Sequence, residues 1–380
     1  MEIVVVGAGV FGAWIALLSS RAGHRVTLVE RFGPANEQSS STGESRIIRS
    51  AYGHDKIYTV MARRSLYLWT EFLREQKRPE LFRQTGVLWM ANAVEPSLRQ
   101  ARAIFENLHI AHDWMDTSDI RSRYPQIRAP EDAAALFEPD AGALLAEGCV
   151  RAVVEAATRG GVRREVATIQ PPAANRGRLE CLETRNGQRI RGELFVFALG
   201  SWLPKLFPIL QGVIRSTRQE LFFFDIPDGI KDFQPDMLPI WIDQTEPRIG
   251  YGFPDFGGGL KTGFHRLGPD FDPDSSSRLV EAYQISEAAA YVENRFPAIR
   301  GARLQSAHVC HYENTPAGDF LIDRDPAIEN AWFAGGGSGH GFKHAPAIAE
   351  YLLTMIENKG APEPRFSLTS KQNAPQTRVI

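Results

Sequence analysis

Three groups of residues in this chain have types and spacing suited to chemistry. The first is Gly7-Ala8-Gly9-Val10-Phe11-Gly12, with Glu30 eighteen residues further on. Gly7 allows a tight turn, Gly9 lets backbone N–H groups approach a pyrophosphate, and Gly12 lets a helix lie close to a sheet. The helix N-terminus offers unpaired amides to phosphate, and an acid at the position of Glu30 accepts from a ribose diol. This is dinucleotide chemistry, with NAD and FAD both open. The second group is Arg46 and Arg49, three apart and interleaved with Ile47 and Ile48. They read either as surface charge or as planar forks aimed at a bound carboxylate. The third is scattered: Lys261 and His265 in a glycine-rich stretch, Cys310, and Lys343 behind Gly339 and Gly341.

The elements that must position these residues follow from pattern. Residues 3–6 and 26–29 read as strands flanking a helix over 13–18, so the glycines sit where a strand runs into a helix. Residues 194–199 and 332–334 are two more apolar strands that end in glycine, at Gly200-Ser201-Trp202 and at Gly335. Such strand ends lie beside cofactors in open α/β sheets. Residues 56–74 read as an amphipathic helix with Ile57, Met61, Leu68 and Phe72 on one face. The spacing predicts helices over 148–159, 279–296 and 346–357, and a broken helical stretch over 96–121. Strands are expected at 87–91, 221–224 and 309–312, with hairpins over 163–190 turning at Asn186-Gly187. The last fifteen residues are polar and are expected to fray. Between the pieces of the nucleotide unit lie β-rich insertions, and that interleaving favours a flavoprotein over a nicotinamide dehydrogenase.

Composition sets the outer bounds. The chain has 380 residues, 43% hydrophobic and 23% charged, with a formal net charge of -2. Nothing there calls for nucleic acid or an anionic membrane as partner. The apolar stretch 3–18 holds three glycines and falls short of the roughly 20 residues a span needs. No address signal is read at residues 377–380, so a cytoplasmic location is expected. Cys149, Cys181 and Cys310 are few, odd in number and widely spaced, which argues for a reducing compartment. No C-x-x-C or H-E-x-x-H occurs, and His308 with Cys310 makes only two ligands, so no metal is expected.

Five further local patterns carry a resemblance: residues 42–49 (Thr-Gly-Glu-Ser-Arg-Ile-Ile-Arg), Tyr251-Gly252-Phe253-Pro254, Lys261 with His265, Cys310 with Thr315-Pro316, and residues 338–343 (Ser-Gly-His-Gly-Phe-Lys). In this order the chain resembles the D-amino-acid-oxidase-like flavoproteins, most closely the branch with monomeric sarcosine, N-methyltryptophan and pipecolate oxidases. The resemblance implies a mixed α/β fold, with a Rossmann-like FAD domain interleaved with a β-rich catalytic domain. The expected division is 1–84, 143–214 and 317–380 for FAD, and 85–142 and 215–316 for substrate.

It further implies oxidation of a secondary amino acid at the carbon next to nitrogen, with oxygen as acceptor and peroxide as product. FAD would be linked through the Cys310 sulfur at the 8α carbon. Arg49 and Lys343 would bind the substrate carboxylate, Tyr251 and His265 would line the cavity, and Lys261 would lie near flavin N5 on the oxygen side. Contacts to the cofactor are expected from Gly7, Gly9, Gly12, Glu30, Arg31, Ser41, Thr42, Arg46, Val166, Gly200, Trp202, Cys310, Gly339, Gly341, Phe342 and Lys343. The N-terminus of the helix after Gly341 would stabilise charge on the reduced ring. Thr42 departs from the branch, which often carries histidine there. A monomer or small homo-oligomer is expected. Each residue keeps a plainer reading: Cys310 as a small buried hydrophobe, His265 in a core, Lys261 on a solvated loop, Tyr251 as packing. Two rival functions stand beside the oxidase: a dehydrogenase passing electrons to a carrier or quinone, and a flavin-binding protein without catalysis.

Overall fold

The computed structural model describes residues 1–372. Two large sheets organise it. The first has six strands in the order Leu321–Arg324, Ala331–Gly335, Leu194–Phe197, Glu2–Val6, Arg25–Glu30 and Arg163–Val166. All pairs are parallel except the outermost, Leu321–Arg324 with Ala331–Gly335. Parallel strands are buried on both faces and read as continuous apolar runs. Residues 3–6 (Ile-Val-Val-Val) and 194–197 (Leu-Phe-Val-Phe) do so.

Helix Val10–Arg21 packs on one face against Ala146–Arg159 and Ala345–Ile356. Trp14 there meets Trp69 and Phe72, both on helix Lys56–Glu75, at ring distances of 4.9 and 5.0 Å. The buried face of Lys56–Glu75 therefore centres on Tyr58, Ala62, Leu66 and Trp69. Ile57, Met61 and Leu68 sit at its edge, because two large rings draw the core a quarter-turn round.

The second sheet has eight strands: Leu304–Asn314, Arg215–Phe224, Leu260–His265, Ile249–Phe253, Ile240–Gln244, Val87–Asn92, Ala133–Glu138 and Asp113–Asp116. Only Ile240–Gln244 with Val87–Asn92 is parallel; the other pairs are antiparallel. One face packs on helix Ala282–Arg295 through Trp241, Phe264, Phe222 and Phe296. A buried pair, Arg295 Nε to Asp243 at 2.8 Å, pins strand and helix together. Side chains alternate across a strand, so this pairing forces the neighbouring positions onto the opposite face. A small third sheet, Ser45–Ile48, Gly142–Leu145 and Phe82–Arg83, lies in its own layer.

The stretch expected to be helical with breaks over 96–121 holds two helices and, between them, a strand. Helix Pro96–Asn107 ends, strand Asp113–Asp116 joins the second sheet through Met115, and Asp116 begins helix Thr117–Arg123 with a capping box to Asp119. The fraying expected at the end is corrected for part of its length: Phe366 and Leu368 are buried, and Leu368–Gln372 is a helix. Residues 373–380 lie outside the described residues. Among the described residues no helix is long and apolar enough to cross a membrane.

Candidate active site

At the carboxyl ends of the first sheet, Gly7 has φ +103° and a Cβ there would collide with the Ala198 carbonyl. A Cβ on Gly12 would collide with the Gly7 carbonyl. The turn closes only because both are absent, and no Cβ of either residue covers the N-terminus of Val10–Arg21. The Ser41 hydroxyl accepts from Val10 N–H at 3.1 Å. Glu30 accepts from Ala8 N–H at 2.7 Å and Phe32 N–H at 3.0 Å, which fixes its carboxylate at the strand end.

A cavity of about 630 Å³ runs from Glu30 and Arg31 past Gly9, Ser41, Gly200 and Trp202 to Arg46, Gly339, Gly341 and Phe342. A second cavity, of about 820 Å³, shares Arg46, His311, Tyr312, Gly339 and Phe342 with the first. Its lining includes Arg49, Tyr251, Lys261, His265, Cys310 and Lys343. The structure thus brings every candidate catalytic side chain to one space.

Alternation explains most of this wall. Tyr251, Lys261, His265, Cys310 and Tyr312 lie at positions whose registers (Tyr251↔Gly263, Phe223↔Lys261, Gln219↔Cys310) place them on one face of the second sheet. Tyr251 and Tyr312 share a hydrogen bond through their hydroxyls, and the proton affinity of both phenols is raised. Burial is the larger cause for both, and it pushes Tyr312 up to about 12.

Lys261 is 1% exposed. Its Nζ donates to Ser45 Oγ at 2.8 Å and Ser45 O at 3.0 Å, with Glu44 at 3.9 Å and the Phe253 ring at 4.5 Å. Burial, then Arg46, lowers its pKa to about 7. Cys310 is half-buried on the cavity wall. Burial raises its thiol, against the pull of Arg46 and Lys261.

The opposite wall comes from the third sheet and from the turn Phe342–His344. Trp69 Nε1 donates to the Lys343 carbonyl at 3.1 Å and its ring stacks on Phe342, which pins that turn. Tyr52 underlies both cations, with Arg49 at 4.6 Å and Lys343 Nζ at 5.2 Å from its ring. The Arg49 Nη1 is buried without a partner among the described residues. Among the described residues, Lys343 Nζ has one hydrogen-bond partner, the His340 carbonyl at 3.1 Å.

Burial, then Arg49, lowers Lys343 well below the usual lysine range. Glu138 is the nearby acid, spent on Ser50 N–H at 2.8 and 3.0 Å. Two buried, underused cations facing one space make a site for an anion. Beneath them, His340 Nε2 must carry its proton, because it faces the Gly318 carbonyl at 3.0 Å. Tyr52 OH therefore donates to His340 Nδ1 and accepts from His344 Nε2.

Some expected cofactor contacts sit differently. Arg46 spends its guanidinium on the carbonyls of Ser40, Thr42 and Ser45, so it braces the loop as well as lining both cavities. Thr42 lines neither cavity; its hydroxyl turns to the Ala35 carbonyl at 3.5 Å. The Val166 side chain is 71% exposed, and its neighbours Ala167, Thr168 and Ile169 line the slot instead. Gly12 packs below the slot.

Sequence reasoning missed Tyr312, Glu313, His311, Tyr52 and Trp89. Tyr312 is two residues from Cys310 on one strand, a spacing that could have found it. Glu313 lines the slot and accepts from Ser40 Oγ at 3.0 Å, with its carboxyl raised by burial. His311 stacks on Phe271 at 5.2 Å, has both ring nitrogens buried without a hydrogen-bond partner among the described residues, and is lowered by burial to about 3.

The comparisons agree with this geometry. The profile of a family described as FAD dependent oxidoreductase matches residues 2–355, and the chain belongs to that family. It is 32% identical over 375 residues to monomeric sarcosine oxidase of Bacillus sp. (strain NS-129), covering 97% of this chain and 96% of that one. It is 28% identical to N-methyl-L-tryptophan oxidase of Citrobacter koseri, covering 97% of each. A crystal structure of L-proline dehydrogenase from P. horikoshii shares the fold at a TM-score of 0.85 and 20% identity, over 98% of each chain. The chain is an FAD-dependent oxidoreductase with a Rossmann-like FAD-binding fold. The residues present fit the cofactor: the glycine turn brings a helix N-terminus to the slot, Glu30 is fixed for a ribose, and the slot adjoins the cavity that Cys310 lines.

Proposed function

We propose that this protein is an FAD-dependent oxidase of a secondary amino acid whose nitrogen carries a methyl, ring or other substituent. The observation that carries the reading is the pair Arg49 and Lys343, buried and short of partners in the cavity that joins the dinucleotide slot. Named relatives that act on sarcosine and N-methyl-L-tryptophan support it. Bound FAD would take a hydride equivalent from the carbon next to nitrogen, leaving an imine, and pass two electrons to oxygen as hydrogen peroxide.

The chain's own residues do the rest. Arg49 and Lys343 hold the carboxylate and so orient the C–H bond. Because burial favours the neutral form of Lys343, a bound carboxylate would favour its protonation. The surrounding cations, Arg46 and Lys261 included, disfavour the ammonium form of the amine, which must react as free base. Tyr251 and His265 close the wall opposite the cations. Protonated Lys261 would stabilise negative charge on reduced oxygen.

In this reading Cys310 carries the flavin through its sulfur. Residues 1–84, 143–214 and 317–372 hold FAD, residues 85–142 and 215–316 shape the substrate side, and the enzyme works in the cytoplasm as a monomer or small homo-oligomer.

The lowered pKa of Lys261 favours one second reading, a dehydrogenase. A neutral amine exerts no pull on superoxide, and the electrons would then leave to a carrier or quinone. Peroxide yield under air separates the two: one equivalent per substrate oxidised supports the oxidase, and flavin reduction with little peroxide supports the dehydrogenase. Acid precipitation tests Cys310. Yellow retained in the pellet, and lost to the supernatant in Cys310→Ala, is expected; yellow released from the wild type refutes the link.

A further inference from the structure

On strand Ile240–Gln244, Trp241 and Asp243 face the helix Ala282–Arg295, where Trp241 Nε1 donates to Tyr291 at 3.0 Å and Asp243 pairs with Arg295. That register turns Ile242 and Gln244 toward the cavity, and both line it. Trp89, opposite Ile242 on the neighbouring strand, lies 5.1 Å from the Arg49 guanidinium. Its Nε1 reaches Gln244 Oε1 at 2.9 Å, and Ser97 Oγ approaches the same oxygen at 3.5 Å.

An indole N–H only donates, so the atom facing it is the amide oxygen. The amide NH₂ therefore points away from Trp89, and it has no protein partner among the described residues. Around it the wall is apolar, from Trp89, Ile242 and Ile249. Two oriented donors thus stand one indole ring beyond the carboxylate clamp.

We propose that Gln244 is a specificity-determining residue, and that the preferred substrate is an N-substituted amino acid whose side chain carries a hydrogen-bond acceptor. The acceptor, a carbonyl or hydroxyl oxygen, pairs with Gln244 Nε2 while the carboxylate rests between Arg49 and Lys343. The chain of contacts Arg49–Trp89–Gln244 sets the reach: an acceptor on the γ or δ atom fits, and N-methylglycine leaves the compartment unfilled. The inference rests on the amino acid oxidase reading.

The test compares N-methyl-4-oxonorvaline, whose side-chain ketone accepts and cannot donate, with N-methylleucine, which matches it in shape and lacks the acceptor, each in both configurations. Dissociation constants come from perturbation of the flavin absorbance of the anaerobic holoenzyme, and kcat/KM from turnover. The wild type should prefer the ketone by about fivefold to tenfold, the worth of one neutral hydrogen bond. Gln244→Leu should bring that ratio to about one. Gln244→Glu keeps the bond to Trp89 and removes both donors, so it should abolish the preference in a side chain of unchanged size. The loss should fall on KM and the dissociation constant and not on kcat. A wild-type ratio of one or below, or a preference that survives both substitutions, overturns the proposal. If no N-substituted amino acid reduces the flavin, the oxidase reading has failed, and the ratio of dissociation constants still judges Gln244.

Discussion

The dinucleotide slot and the neighbouring cavity meet at Arg46, Tyr312, Gly339 and Phe342 and are built by opposite means. The slot is made by leaving atoms out. Gly7 and Gly12 admit the helix end because neither has a Cβ, and the groups that remain are backbone amides. The cavity is made by putting charge where water is scarce. Lys261, Arg49 and Lys343 are desolvated, two of them lose proton affinity strongly, and their counter-charge is distant or already spent. A backbone site tolerates no added volume but needs no titration. A side-chain site tolerates changes in volume but depends on pH and on every neighbour of each charge.

The contrast breaks first, and with the largest effect, at Gly12. Gly12→Val should cost ~3 kcal/mol or more, because the added atoms overlap the Gly7 carbonyl. Flavin content per mole of purified protein and the thermal midpoint would both collapse. Gly23→Ala, with φ +84° but open space around it, should cost only ~1 kcal/mol. Equal losses would mean that backbone strain, and not volume, governs the slot.

On the cavity side, Arg49→Met should keep flavin content and weaken substrate binding about 10- to 100-fold, as expected for a lost charged hydrogen bond. Anaerobic titration of flavin absorbance would read this. In wild type the affinity should fall as pH rises, since burial lowers the proton affinity of Lys343 and a bound carboxylate raises it. That slope should flatten in Lys343→Met, and a slope that persists there would assign the proton elsewhere.

Lys261 sharpens the comparison through pH. Its folded pKa, about 7, lies below the ordinary lysine value. The ammonium fraction therefore falls as pH rises through 7, and the oxygen half-reaction should slow over the same window. Lys261→Met should slow reoxidation severalfold or more at pH 6, remove that pH dependence, and spare reduction by substrate. The same shift makes the unfolded chain bind more protons between about pH 7 and 10, so this group's contribution to stability rises across that range. Stopped-flow traces of the two half-reactions check the first claim, and denaturant midpoints against pH check the second.

The smallest effect is expected at Tyr52→Phe. It keeps the ring under both cations and removes the hydroxyl between His340 and His344. A loss of ~1–2 kcal/mol in unfolding free energy with only a few-fold change in substrate affinity is expected. An affinity loss as large as that of Arg49→Met would place the hydroxyl in the binding site itself.

How far each region could be read in the sequence follows from the same contrast. Gly7, Gly9, Gly12 and Glu30 carry their purpose in local spacing, because a turn, a helix start and a strand end are local events. Lys261 does not. Its partners at Ser45 are 216 residues away, and only the pairing of Leu260–His265 with two neighbours brings them together. Residues 42–49 and 338–343 were legible as a family pattern, but the cause of their proximity, Trp69 holding the turn at Lys343, was not.

Gln244 is the clearest miss. Nothing in its neighbours marks it as facing inward until Asp243 is seen paired to Arg295 on the other side. The strand inside the broken helical stretch 96–121 went unread for a related reason: Met115 reads equally well on a helix face or a buried strand, and sheet pairing with Ala135 decides.

The most direct test of the account is anaerobic mixing of the holoprotein with an N-methyl amino acid and, separately, with the same amine lacking its carboxylate. The account predicts that the acid bleaches the flavin absorbance and that the amine does so at least tenfold less effectively. Equal bleaching by both, or flavin that stays oxidised with the acid, would contradict it.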